Sequence, residues 1–182
     1  MLAALDLSFD VESADIDESV RPGELPAWYV RRLAREKALT VAARHGNQVY
    51  VLAADTAVSI HGRIFGKPAN PDEARRMLEA LDDGDHIVST GYALASPGGR
   101  VVDGIVTTVV SMRRLSGDEI SWYIATGEPF DKAGGYAIQG RAAHFITRVN
   151  GSVSNVIGLP LAEVVSLLRS FGFPVAATGQ PL

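Results

Sequence analysis

An α/β fold with a mixed, twisted sheet flanked by helices is what the order of periodic segments predicts. The run opening at Val49 is uncharged, apolar and partly β-branched, as suits a strand buried on both faces. Capped helix starts at Asn70 and Ser116 alternate with strand-like runs. The turn Ser96-Pro97-Gly98-Gly99 joins two such runs as a hairpin would, so antiparallel pairs mix into the strand and helix alternation. With 182 residues, 47% of them hydrophobic, the chain suits one well-buried core, a single domain over 1–182 with room for two lobes.

In chain order, Met1 to Leu7 reads as a helix end without a start signal, and Ser8 to Asp15 alternates like a half-exposed strand. Asp15, Asp17 and Glu18 then form an acidic patch. From Pro26 to about Arg44 the spacing predicts a helix, with Tyr29, Leu33, Lys37 and Val41 four apart. The strand from Val49 is expected to end at Asp55, after which the chain runs out through Ser59 and Ile60 to a turn at His61-Gly62-Arg63. Asn70 as N-cap, Pro71 at the first helical position and Glu73 open a helix with Ala74, Met77, Leu78 and Leu81 on one face. His86 to Ala95 and Arg100 to Met112 are strand-like. Ser116 and Glu119 form a capping box for a helix that closes at Gly127. Glu128 to Gly140 is a long loop rich in charge and glycine, a length at which ordered loops tend to be functional. Ala143 to Val149 reads as a strand, and Ser152 to Pro160 leads to a last helix over 161–171, stopped by Gly172. Asn150-Gly151-Ser152 matches a glycosylation sequon, which is read as chance in the absence of a secretion signal.

Composition narrows the function. Net charge is -4, from 17 basic and 21 acidic residues without a Lys or Arg stripe, so a nucleic-acid polymer is not the expected partner. The chain has no cysteine, which removes disulfides, thiolate zinc sites and a cysteine nucleophile. Its four histidines lack metal-ligand spacing. Neither a membrane span nor a signal peptide is legible, and the cytoplasm is the expected compartment.

The chemistry concentrates between Val49 and Pro68, where Asp55 arrives at the expected strand end and Lys67 precedes a proline. Read alone, this window equally admits a loop-capping aspartate and a solvated lysine. Across the whole chain, the inventory fits attack by an activated water on a phosphate ester or anhydride. Asp55 serves as base or metal ligand, Glu18 and Asp131 as further oxygen ligands, and Lys37, Lys67 and Lys132 as cations against developing charge. There is no Walker loop, and Asp55-Thr56-Ala57 lacks the second aspartate of an aspartyl-phosphate enzyme.

Several motifs occur together and in order. They are Ala54-Asp55-Thr56-Ala57-Val58, Gly66-Lys67-Pro68, the helix EARRMLEAL, the helix that opens SGDEI and ends TGEP, DKAGGYAIQG over 131–140 and GSVSNVIGLPL over 151–161. Together they resemble the Maf family of nucleoside triphosphate pyrophosphatases. That resemblance implies a mixed α/β fold similar to the inosine triphosphate pyrophosphatases, with the cleft between two lobes. It also implies hydrolysis of a nucleoside triphosphate to monophosphate and pyrophosphate, dependence on a divalent cation (Mg or Mn), and a cytoplasmic, often dimeric protein. Asp55 matches the family's proton acceptor, and Glu18, Lys37, Lys67 and Gln139 match polar residues of its cleft. Thr56 and Gln139 resemble the group that acts on dTTP and UTP.

Members of that family begin with a strand and a Ser-x-Ser-Pro-Arg-Arg loop, whereas this sequence starts at Met1-Leu2-Ala3-Ala4-Leu5. The expectation is a weak catalyst with an unpaired sheet edge and an exposed apolar face of Leu2, Leu5 and Leu7. The competing reading is a nucleotide-binding or regulatory protein that keeps the cleft without turnover. A structural dimer module would show neither binding nor turnover.

Overall fold

The protein is described by a computed structural model over residues 1–175. The elements are α1 (Pro26–Arg44), β1 (Val51–Ile60), β2 (Arg63–Phe65), α2 (Pro71–Leu81), β3 (Asp85–Ala95), β4 (Val101–Met112), α3 (Gly117–Ala125), β5 (Ile146–Asn150), α4 (Val153–Ile157) and α5 (Leu161–Ser170). The strands form one sheet in the order β2-β1-β3-β4-β5. This is the α/β architecture with flanking helices that the sequence predicts, and all four pairings are antiparallel. The mixture expected from strand and helix alternation does not arise among the described residues, because the chain returns through hairpins or through helices lying between oppositely directed strands.

Local chemistry accounts for the boundaries. His61 and Gly62 both have positive φ, as the tight turn between β1 and β2 requires. The Asn70 side chain accepts from the Glu73 amide at 2.9 Å, and Glu73 reaches back to the Ala69 amide at 2.8 Å. Ser116 and Glu119 form a complete capping box at α3.

The two faces of the sheet are packed differently. On one lies α1, whose Ala34, Ala38 and Ala42 meet Ala93 and Ala95 of β3. Alanine against alanine brings the helix backbone very close to the sheet. Closest of all is Gly91, where a Cβ would lie 2.2 Å from the Val30 carbonyl oxygen. The other face carries α2 and α3 over a core including Val58, Leu78, Val88, Val110, Tyr123 and Phe145. Beside it, α5 packs Val164 and Leu168 on Leu94.

Three expectations are corrected. Residues 8–15 form no strand, because side chains of α1 take up their polar groups: Arg44 donates to the Ser13 and Ala14 carbonyls and pairs with Glu12. Leu2, Leu5 and Leu7 are partly buried against the Leu94, Val164 and Leu168 cluster, so their apolar face is covered rather than exposed. Residues Arg141–Phe145 form a short 3-10 helix ahead of β5, which buries Phe145 edge-on against Tyr123 at 5.4 Å. The short helix α4 is an addition, signalled by Ser152, whose hydroxyl accepts from the Asn155 amide.

Gly91→Ala is expected to destabilise the fold by at least about 1–3 kcal/mol, since the new methyl meets backbone that cannot step aside. Thermal unfolding checks this, with a melting temperature lower by roughly 2–4 °C per kcal/mol. An unchanged melting temperature would mean that α1 lifts off the sheet without cost.

Candidate active site

The strand β2 covers only Val58 to Ile60 of β1, so the outer edge over 51–57 has no strand partner among the described residues. Asp55 therefore sits in the middle of β1, paired in register with Gly91, and not at a strand end as the sequence suggested. What brings it to a cavity is the open edge. A cleft of about 950 Å³ lies there, bounded by α1, the Gly66-Lys67 turn, the loop over 128–140 and the end of α4.

All of the sequence-predicted residues line this cleft. Asp55 and Gly91 occupy the sheet face that carries α1, and there Lys37 Nζ lies 2.6 Å from Asp55 Oδ1 and 2.6 Å from Glu18 Oε1. Lys37 is thus no ordinary surface lysine. Burial pushes the Asp55 carboxyl above its usual range, outweighing the opposing pull of Lys37. Burial alone would lower Lys37, but its hydrogen bonds to Asp55 and Glu18 hold it above the usual lysine value. Glu18 itself is held by its backbone, because the Tyr29 hydroxyl donates to the Glu18 carbonyl at 2.9 Å. Sequence reading placed Tyr29 on the Lys37 face of α1 without giving it this part.

The remaining charges differ in how far they are committed. Lys132 pairs with its neighbour Asp131 at 2.8 Å, which holds the Asp131 carboxyl below its usual range. Lys67 has no ion-pair partner among the described residues, and its position is tied to the long loop by the Gly134 amide donating to the Gly66 carbonyl at 2.9 Å. Gln139 is exposed at the cleft. Thr56 points to the opposite sheet face from Asp55 and contacts the Thr90 hydroxyl at 2.8 Å.

For a cation, the donor set is partial. Glu18 and Asp55 offer two carboxylates, which fits an ion of the magnesium type that takes its other ligands from water and substrate phosphates. Asp131 does not join them. It rides on the short turn over 128–131, within electrostatic reach of Lys67, and among the described residues no three acidic or histidine groups gather as a metal cluster.

A clasp closes the long loop. The Tyr123 hydroxyl donates to Glu128 Oε1 at 2.9 Å and accepts from the Ala137 amide at 3.2 Å. The same carboxylate accepts from the Arg141 amide at 2.9 Å, and a Cβ at Gly140 would lie 2.1 Å from it. One tyrosine and one glutamate therefore join both ends of the segment that carries Asp131, Lys132 and Gln139. Glu128 stood out in the sequence only as loop charge, and Tyr123 only as a residue within a predicted helix.

Fold and cleft together define an α/β protein whose sheet edge opens onto two carboxylates joined through Lys37 and onto Lys67, which has no ion-pair partner among the described residues. The chain belongs to the Maf-like protein family, whose model matches residues 1–171. Among its relatives is a dTTP/UTP pyrophosphatase of Anaeromyxobacter dehalogenans (strain 2CP-C), 52% identical over 178 residues that span 96% of this chain and 89% of that protein. Another, of Myxococcus xanthus (strain DK1622), is 49% identical over 96% of this chain and 88% of its own length. A third, of Geobacter sulfurreducens, is 48% identical over 94% of this chain and 90% of its own.

Tyr123→Phe keeps the ring packing and removes the clasp, and a lost hydrogen bond of about 1–1.5 kcal/mol should speed amide exchange in 131–140 by roughly tenfold. Hydrogen exchange read by mass spectrometry tests this. Unaltered protection of the loop would show that it is held by other contacts.

Proposed function

We propose that this chain hydrolyses dTTP and UTP to the nucleoside monophosphate and pyrophosphate. The observation that carries the reading is Asp55, a carboxylate only 12% exposed and held above its usual pKa at the open edge of β1, with Lys37 and Lys67 on its flanks. The names of the relatives support the same activity.

In this reading the triphosphate lies along Lys67 and Lys132, whose ammonium groups balance its charge. Lys37 keeps Asp55 and Glu18 in place. Asp55 takes a proton from a water molecule as the water oxygen attacks the α-phosphorus; the bond from that phosphorus to the bridging oxygen breaks, and pyrophosphate leaves. A divalent cation bound by Glu18, Asp55 and phosphate oxygens would supply further charge neutralisation. Thr56 and Gln139 face the base, where an amide offers both a donor and an acceptor to the O4 and N3–H edge of uracil or thymine. The family resemblance favours a cytoplasmic homodimer, and no described helix is long and apolar enough to cross a membrane.

The test is to assay dTTP, UTP and 7-methylguanosine triphosphate for release of monophosphate and pyrophosphate. Preference for the pyrimidines is expected; preference for the guanine substrate, or binding without turnover, would refute the reading. Asp55→Asn should lower turnover by roughly 10²- to 10⁴-fold while the fold survives. The pH profile gives an independent check. The base works only when ionised, so the rate should fall as pH falls through the Asp55 pKa, with an acid limb above the ordinary value of 3.8. That limb should vanish in Asp55→Asn, and an acid limb common to both forms would assign it to another group.

Lys67→Ala should weaken triphosphate binding more than monophosphate binding, because Lys67 brings an uncompensated charge to the cleft. Equal weakening of both, read by calorimetry, would make Lys67 a surface lysine without a phosphate role.

A further inference from the structure

Thr56 sits over a buried hydroxyl whose proton is already committed. Thr90, fully buried in β3, has its Oγ1 2.9 Å from the Asn155 carbonyl oxygen and 2.8 Å from Thr56 Oγ1. A carbonyl oxygen only accepts, so the single Thr90 proton is donated to Asn155. Thr90 must then accept from Thr56, and the single Thr56 proton is spent inward. Reversing the pair would leave the Thr90 oxygen facing the Asn155 carbonyl with no proton between them, a buried mismatch.

The Asn155 carbonyl is not free to turn away. Asn155 is fully buried, and its side-chain amide donates to the Val88 carbonyl at 3.0 Å and to Thr108 Oγ1 at 2.9 Å. Thr108 in turn accepts from the Ser152 amide at 3.0 Å, so the start of α4 is tied to the same chain of hydrogen bonds. On the cleft side, Thr56 faces Gly158, where even an added Cβ would stay 3.5 Å from its oxygen. Thr56 lines the cleft, so its hydroxyl reaches the cavity beside Gly158, and there it carries lone pairs only.

The geometry points to Thr90 as a positioning residue that makes Thr56 an obligate hydrogen-bond acceptor, and so selects a base with an N–H at N3, uracil or thymine, against cytosine. This rests on the pyrimidine triphosphate reading above and deepens it. Uracil and thymine present N3–H, which Thr56 can accept; cytosine presents a bare N3, which would meet the Thr56 lone pairs without a proton to share. Gln139 then has its amide NH₂ for O4. Discrimination between two bases of the same size thus comes from the direction of a hydrogen-bond chain that starts at a backbone carbonyl two residues' contact away from the ligand.

The experiment measures equilibrium binding of non-hydrolysable α,β-imido analogues of UTP and CTP by calorimetry, so that turnover is not needed. Wild-type protein should prefer the UTP analogue by about tenfold or more, the scale of one unmatched polar contact. Thr90→Val keeps the shape and releases the Thr56 proton, and the UTP to CTP ratio should fall toward unity. Thr90→Ser restores the hydroxyl and should keep the wild-type ratio, which a purely structural role of Thr90 would not require. Thr56 is only half-buried, so Thr56→Val serves even where Thr90→Val fails to fold; it should weaken the UTP analogue more than the CTP analogue. A folded Thr90→Val with the wild-type ratio, or Thr56→Val binding both analogues as the wild type does, overturns the inference and leaves the pyrophosphatase reading standing. Wild-type protein that binds neither analogue overturns the pyrophosphatase reading itself.

Discussion

The close seating of α1 on the sheet is the constraint on which the cleft depends. Helix and sheet approach through alanines and through Gly91, where no side chain fits beneath the Val30 carbonyl. Asp55 is the register partner of Gly91, so the absence of a side chain on one strand is matched by a carboxylate on the next. That pairing leaves Asp55 under the helix within reach of Lys37. Burying a carboxylate beside an apolar helix face is costly unless a cation meets it, and the Lys37 ammonium meets both Asp55 and Glu18. Stability and chemistry share one contact here.

The cations of the cleft are ranked by how much of their charge is already answered. Lys37 is answered twice, by Asp55 and Glu18, and Lys132 once, by Asp131. Lys67 meets no carboxylate within ion-pair distance among the described residues, and so brings the most uncompensated charge to an anionic ligand. The segments that hold these groups are themselves fastened: residues 12–18 to α1 by Arg44 and Tyr29, and the loop over 128–140 by Tyr123 and Glu128. Neither is a strand or a regular helix, so side chains supply the order that a ladder would otherwise give.

Much of this was legible in the sequence. The bounds of α1 follow from residue spacing and Pro26 in its first turn, and those of α2 from apolar spacing and the Asn70 cap, which are local and need no partner. Asp55, Thr56, Lys67, Asp131, Lys132 and Gln139 stood in recognisable motifs, Glu18 and Lys37 only in matching positions, and the structure gathers all of them around one cavity. What escaped is instructive. Residues 8–15 alternate like a strand, yet a strand needs a neighbour to pair with, and there the neighbour is a helix whose arginine takes the carbonyls instead. Tyr123 and Thr90 fell inside a predicted helix and a predicted strand, but nothing in a sequence says where a buried hydroxyl points.

By itself the sequence determined the α/β class, the capped helices and the β1 turn, and it marked Asp55, Lys67 and Gln139 as candidates, since propensity, capping and motif act over a few residues. Only the tertiary structure decided that the sheet is antiparallel, that Asp55 lies mid-strand under α1, and that Asp131 stands apart from Glu18 and Asp55. It alone set the direction of the hydrogen bonds from Thr56 through Thr90 to Asn155. These are relations between residues distant along the chain, and pairing register, close packing and proton donation exist only once the partners have met.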